Sequence, residues 1–71
     1  MNTEQLNFTV FCVGNLADAL KLSAAEVYTM LRKTGILFSY ILPSYDVLHT
    51  FSREYIVDDL VSLLKEKGAL Q

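Results

Sequence analysis

Helix-breaking residues are few in this chain, and this scarcity constrains the fold most strongly. The 71 residues include three glycines and one proline, and Gly35, Pro43 and Gly68 stand where predicted helices end or restart. Between these positions apolar residues recur every three or four residues, which is the helical period. No stretch alternates at period two, and no Asn-Gly or Asp-Gly turn marks a hairpin. We therefore predict one all-α domain over residues 1–71, a compact bundle of four to five short helices.

Capping residues predict where these helices begin. Asn2 or Thr3 can cap the first helix, and Ser23 with Glu26 forms the pattern of a capping box, in which each side chain accepts a backbone N–H of the other residue. Ser52 is placed to cap the last helix. The predicted segments are about Glu4–Lys21, Ser23–Thr34, Ile36–Leu42, a short helical segment through Asp46 to His49, and a last helix from Ser52 to Gly68.

The first helix carries more apolar residues than one core-facing stripe requires. Its apolar residues form two stripes: the first is Leu6, Val10, Val13, Ala17 and Leu20, and the second is Phe8, Phe11, Cys12 and Leu16. We assign the first stripe to the core and expect the second to contribute to contact with another chain. On the second helix Ala24, Val27, Tyr28 and Leu31 are predicted to be buried. With 52% hydrophobic and 20% charged residues, the chain has an apolar surplus for its size, which favours a protein partner, a homo-oligomer (a dimer first), or both.

Charge and cysteine content narrow the function and the compartment. The net charge of −2 and the pI near 5.1 disfavour nucleic-acid binding, which requires basic residues to neutralise phosphates. Residues 35–42 could follow the second helix as a recognition helix, but Ile36–Leu42 contains no Arg, Lys, Asn or Gln to read base edges. A single cysteine excludes an internal disulfide, and neither a signal peptide nor a membrane span is evident, so we expect a cytoplasmic protein.

Chemistry-bearing residues are sparse. Asp46 and His49 share a helix face, but a catalytic arrangement would also need a nucleophile and an oxyanion site. Cys12 lies in mid-helix among apolar residues, where a buried and inert thiol is expected. Asp58 and Asp59 point about 100° apart on a helix, so they cannot chelate from one face. We expect no catalytic, metal-binding or cofactor-binding residues, and structural roles for Asp46 and His49.

Two segments resemble a known family. Tyr45-Asp46-Val47-Leu48-His49-Thr50 and Tyr55-Ile56-Val57-Asp58-Asp59-Leu60 are similar to motifs of a family of small bacterial proteins that is described only as a domain of unknown function. Pro43 and Phe51 depart from the family pattern. The resemblance implies no enzymatic activity. It associates the chain with short operons, some of which also encode toxin-like proteins related to ADP-ribosyltransferases, and so implies an antitoxin-like or immunity-like role.

The motif residues define the candidate site. Its members are Tyr45, Asp46, His49, Thr50, Tyr55 and Asp58. They are expected to form a polar cluster between the short helix and the last helix, which either fixes that turn or binds a partner. The sequence thus favours a non-enzymatic helical protein-interaction module. The alternatives are an operon-linked, dimeric DNA-binding regulator and, third, a small enzyme that uses Asp46 and His49.

Overall fold

All regular structure in residues 1–70, which the computed structural model describes, is helical. This confirms the predicted all-α class. The segments in chain order are α1 (Thr3–Leu20), α2 (Ala24–Lys33), a π-helical turn (Leu37–Ile41), α3 (Tyr45–Leu48) and α4 (Arg53–Glu66). Helix α1 packs against both α2 and α4.

The three long helices begin at predicted caps. Asn2 Oδ1 accepts the Gln5 N–H at 2.7 Å, and Gln5 Oε1 accepts the Asn2 N–H at 3.1 Å, which completes a capping box on α1. Ser23 Oγ accepts the Glu26 N–H at 3.1 Å. The predicted second half of that box is different, because the Glu26 carboxylate accepts the Ser23 hydroxyl at 3.2 Å instead of the backbone N–H. Ser52 caps α4.

Two glycines end helices as predicted. Gly35 and Gly68 have φ values of +82° and +79°, in the left-handed region where a side chain is strained. Helix α1 instead ends at Lys21, which reaches φ +59° without being glycine. Its left-handed backbone turns the Leu22 N–H back to Ala17 O at 3.1 Å, five residues earlier, which closes the end of the helix.

The short helix predicted at Ile36–Leu42 is a π-helical turn. The Leu42 N–H bonds Leu37 O at 3.0 Å, five residues back instead of four. Pro43 has no N–H with which to continue an α-helical ladder. The turn buries Leu37 and Ile41 completely. The π-helical turn between α2 and α3 therefore contributes two side chains to the core.

The assignment of the two α1 stripes was only partly correct: Val13 of the first stripe is buried and Phe11 of the second is 41% exposed, as predicted, but most of the other members are reversed. Leu16 and Cys12, from the stripe predicted to meet another chain, are 0% and 1% exposed, whereas Leu6 and Val10, predicted as core, are 52% and 63% exposed. Helix α1 packs against both α2 and α4, and its buried face carries Phe8, Cys12 and Leu16. Both stripes have the helical period, so periodicity alone could not select the inward one.

The buried face of α2 is also narrower than predicted. Val27 and Leu31 are buried, but Ala24 and Tyr28 are exposed. On α4, Ile56, Leu60 and Leu64 are buried, while Leu63 is only partly buried. The exposed members of α2 adjoin Leu6 and Val10 of α1 along one groove.

Candidate functional site

Tyr45 and the buried Leu48 are the residues through which the Tyr45–Thr50 segment contacts the rest of the fold. The Tyr45 ring packs edge-on against Phe8 of α1, with centroids 5.4 Å apart and an interplanar angle of 74°. His49, one turn later, stacks on the other side of the motif against Tyr45 at 4.5 Å and 17°. This places α3 on α1 through aromatic contact, a geometry that stabilises beyond simple area burial.

Asp46 and Thr50 make local or no contacts. Asp46 lies exposed in the first turn of α3, and no hydrogen bond within residues 1–70 joins it to His49 or to a tyrosine. The Thr50 hydroxyl donates to Val47 O at 2.6 Å, which closes the end of α3. Thr50 therefore does not cap α4.

Tyr55 and Asp58 lie on the outer face of α4. Tyr55 packs against Phe51 with ring centroids 4.5 Å apart. Phe51 is 42% exposed. Asp58 lies beside Tyr55 in a shallow surface groove. No hydrogen bond or ring contact of the described residues joins these two to Tyr45 or His49, and a binding role for the six motif residues stays a prediction.

One polar contact between distant elements was missed by the sequence analysis. The Tyr40 hydroxyl, on the π-helical turn, donates a hydrogen bond to the Asp59 carboxylate on α4. This hydrogen bond, with a smaller effect of burial, raises the pKa of Tyr40 to about 12. The sequence predicted that at most one of Asp58 and Asp59 faces inward, and Asp59 is the partly buried one. Nothing in the spacing paired it with a tyrosine 19 residues earlier.

The single thiol lies in the core, as predicted. Cys12 is 1% exposed, and burial raises its pKa to about 12. Because the thiolate is the nucleophilic and metal-binding form, a protonated, enclosed thiol is unsuited to either role near neutral pH. Within residues 1–70, no three His, Cys, Asp or Glu side chains come close enough to hold a metal ion.

A polar groove separates α1 from the start of α4. Its volume is about 410 Å³, and it brings Asp18, Glu54 and Asp58 near one cation, Arg53. Arg53 and Glu54 form a solvent-exposed ion pair at 3.6 Å. Exposed pairs of this kind stabilise little. The groove therefore has the character of a solvated surface.

A strongly apolar surface groove lies between α1 and α2. Its volume is about 460 Å³, and none of its lining side chains is charged. We call this surface the α1/α2 face and define it by Leu6, Val10 and Gly14 of α1 with Ala24, Ala25 and Tyr28 of α2. A Cβ atom added at Gly14 would meet nothing within 4 Å, so the glycine leaves an open notch. The four-residue spacing of Leu6, Val10 and Gly14 was visible in the sequence, but Leu6 and Val10 were assigned to the core.

None of the helices in residues 1–70 has, by itself, the length and hydropathy to cross a membrane. Helices α1 and α2 meet those criteria only as a pair, and the pair is bent by 112°.

Comparison with known proteins gives one match. A family model described as "Protein of unknown function (DUF3791)" matches residues 7–67, which is 61 of the 71 residues. No curated protein and no solved structure is significantly similar to the chain.

Proposed function

The chain belongs to the DUF3791 family of proteins of unknown function, and from that premise we propose that it is a non-enzymatic helical module that binds a protein through the α1/α2 face. The partner is a second copy of the chain, the product of a neighbouring gene, or both. If the partner is the product of a neighbouring gene, the chain would have the antitoxin-like role that the family resemblance implies.

The exposure of Leu6 and Val10 is the observation that carries this proposal. Both are large apolar residues on α1, yet the core is closed on the opposite side of that helix by Phe8, Cys12 and Leu16. Leu6 and Val10 are therefore not needed to complete the core. Contiguous exposed apolar surface of this kind is typical of a protein interface.

The geometry of the motif supports the non-enzymatic part of the proposal. A carboxylate that activates an imidazole must be hydrogen-bonded to it, and Asp46 is not bonded to His49. Cys12, the only thiol, is enclosed in the core. A catalytic role for Asp46 and His49 would therefore need a group that another molecule supplies.

A DNA-binding regulator receives less support. Arg32 and Lys33 are exposed at the end of α2, and Arg32 lies over the Tyr28 ring at 5.8 Å. The segment that would follow as a recognition helix is the π-helical turn, and it points Leu37 and Ile41 into the core. Reading base edges requires a helix with polar side chains free to enter a groove.

Co-purification with the products of neighbouring genes, followed by light scattering, tests the proposal. We expect the tagged chain to elute in a stoichiometric complex with itself or with such a product. Val10→Glu should abolish the complex, because it places a charge in an apolar interface. Val47→Glu is the matched control, since Val47 is also an exposed valine, at 59%, but lies on α3 outside the α1/α2 face.

A monomer that captures no partner would contradict the proposed function. So would a complex that Val47→Glu disrupts and Val10→Glu leaves intact, because a different surface would then be responsible. Binding to a promoter fragment that weakens steeply with salt would instead support the regulator, since phosphate contacts release counterions.

A further inference from the structure

We propose that the occupant of the α1/α2 face is a second copy of this chain, packed antiparallel across a two-fold axis that passes beside Val10. This inference rests on the proposed function and names its partner. It makes the interaction homotypic, with helix α1 of each copy lying against helix α1 of the other.

The spacing along α1 makes its exposed stripe complementary to itself. Leu6 precedes Val10 by four residues, and Gly14 follows it by four, so the two flanking positions are equally far from Val10 along one face. A two-fold axis at Val10 reverses one helix relative to the other. Leu6 of each copy then stands opposite Gly14 of its partner, and the two Val10 side chains meet at the axis.

The sizes of these residues match in that arrangement. Leu6 is a large side chain with 52% of its surface exposed, and the Gly14 Cβ position is open space. A side chain that projects from one copy thus meets a notch in the other, and the interface is isologous, as a two-fold dimer requires. A heteromeric partner would not need this symmetry about one residue.

The charge of the surface is compatible with the same partner. Because no charged side chain lines the α1/α2 groove, two copies can meet there without like charges facing each other across the axis. Another exposed aromatic pair, Phe51 and Tyr55, lies beside Arg53, Glu54 and Asp58 and lacks this property.

A stable dimer needs a larger contact area than α1 alone offers, so the proposed interface includes residues of α2. A standard interface buries roughly 800 Å² on each partner. That is nearly a fifth of the 4442 Å² exposed by this chain, which is more than the α1 stripe alone presents. Ala24, Ala25 and Tyr28 border the stripe, and their small and flat side chains extend the same apolar surface.

The first test measures mass against concentration for the full chain by sedimentation equilibrium. We expect the wild-type chain to shift from 8.0 kDa at low concentration to about twice that mass as concentration rises. Val10→Glu and Val10→Lys should each weaken self-association by about 100-fold or more, because each places two like charges at the axis.

Mixing the two charged variants identifies the symmetry. Glu from one copy and Lys from the other would face each other at the axis, so an equimolar mixture should form the dimer that neither variant forms alone. Val47→Glu should leave the wild-type dimer unchanged. Gly14→Leu provides an independent variant, since its Cβ meets no atom of its own chain within 4 Å while its side chain fills the notch, and it should also give a monomer.

Three results would overturn the inference. A wild-type chain that stays monomeric at millimolar concentration excludes the second copy, and a dimer that Val10→Glu and Gly14→Leu leave intact excludes the α1/α2 face as its interface. If the two charged variants fail to form a dimer with each other, the two-fold axis does not pass beside Val10. None of these results alone contradicts the proposed function, which is lost only if the chain also binds no neighbouring gene product through the α1/α2 face.

Discussion

At the scale of single residues, Tyr40 and Asp59 stand out because their side chains join elements far apart in the sequence. Every other side-chain hydrogen bond of residues 1–70 spans eight residues or fewer. The bond ties the π-helical turn to α4 at the edge of the core. Because Tyr40 is only partly buried, this hydrogen bond contributes less to the free energy of unfolding than a fully buried one would.

Removing the Tyr40 hydroxyl should destabilise the fold measurably. We expect Tyr40→Phe to lower the free energy of unfolding by about 1 to 2 kcal/mol, because it leaves the Asp59 carboxylate without its donor. Urea denaturation at pH 8 measures the change. Tyr28→Phe is the control, since the Tyr28 hydroxyl makes no hydrogen bond within the described residues and its loss should cost about 0.5 kcal/mol or less.

The same bond predicts a pH dependence in the alkaline range. The pKa of Tyr40 is raised from 10.0 to about 12, so the folded state holds its phenolic proton more tightly than the unfolded state does. The stabilisation by this group is therefore complete below about pH 10 and is lost as the pH rises towards about 12. The stability difference between wild type and Tyr40→Phe should shrink over that interval, and a constant difference would contradict the assignment.

At the scale of elements, capping chemistry made the long helices predictable and tertiary contact shaped the short ones. Asn2, Ser23 and Ser52 each bond a backbone N–H three residues later, a local interaction that the sequence displays directly. The π-helical turn and α3 have no side-chain cap. Their placement depends on burying Leu37 and Ile41 and on the contact between Tyr45 and Phe8, which lie far apart in sequence.

The motif around α3 yields a prediction about its role. We expect Tyr45→Ala to lower the free energy of unfolding by about 2 kcal/mol, because it removes the ring that holds α3 against Phe8. Tyr45→Phe should cost little, since the Tyr45 hydroxyl makes no hydrogen bond within residues 1–70. Thermal denaturation of the two variants measures both values.

His49→Ala separates folding from binding at the same motif. His49 is exposed and stacks only on Tyr45, so we expect its removal to leave both the fold and the self-association of the chain nearly unchanged. If His49→Ala or Tyr45→Phe preserved stability but abolished partner capture, the motif would be a binding site in its own right.

At the scale of the whole molecule, a small core must provide nearly all of the stability. A chain of 71 residues typically has about 4 to 10 kcal/mol of folding free energy. Leu16, Leu31, Leu37, Ile41 and Leu64 are each completely buried. The loss of any one of them would therefore remove a large part of the total.

Two leucines on one helix test which face of α1 is the core. Leu16→Ala should lower the free energy of unfolding by about 2 to 5 kcal/mol, whereas Leu6→Ala should change it by about 0.5 kcal/mol or less. Chemical denaturation of both variants in the Val10→Glu background excludes any contribution from self-association. Equal losses at the two positions would contradict the observed orientation of α1.

The sequence by itself determined the helical class, the starts of α1, α2 and α4, and the glycine-terminated ends of α2 and α4. These features follow from interactions between residues within about four positions of one another, so they can be recognised from the sequence alone. The sequence also predicted the buried thiol, because Cys12 is surrounded by apolar neighbours.

Only the tertiary structure decided which members of the two apolar stripes of α1 are buried, and therefore where the candidate interface lies. Both stripes repeat at the helical period with similar hydrophobicity. The choice depends on α2 and α4 packing against α1 from one side, which leaves Leu6 and Val10 in solvent. The Tyr40–Asp59 bond and the contact of Tyr45 with Phe8 belong to the same class. Each joins residues that are distant in the sequence and that come together only when the helices pack.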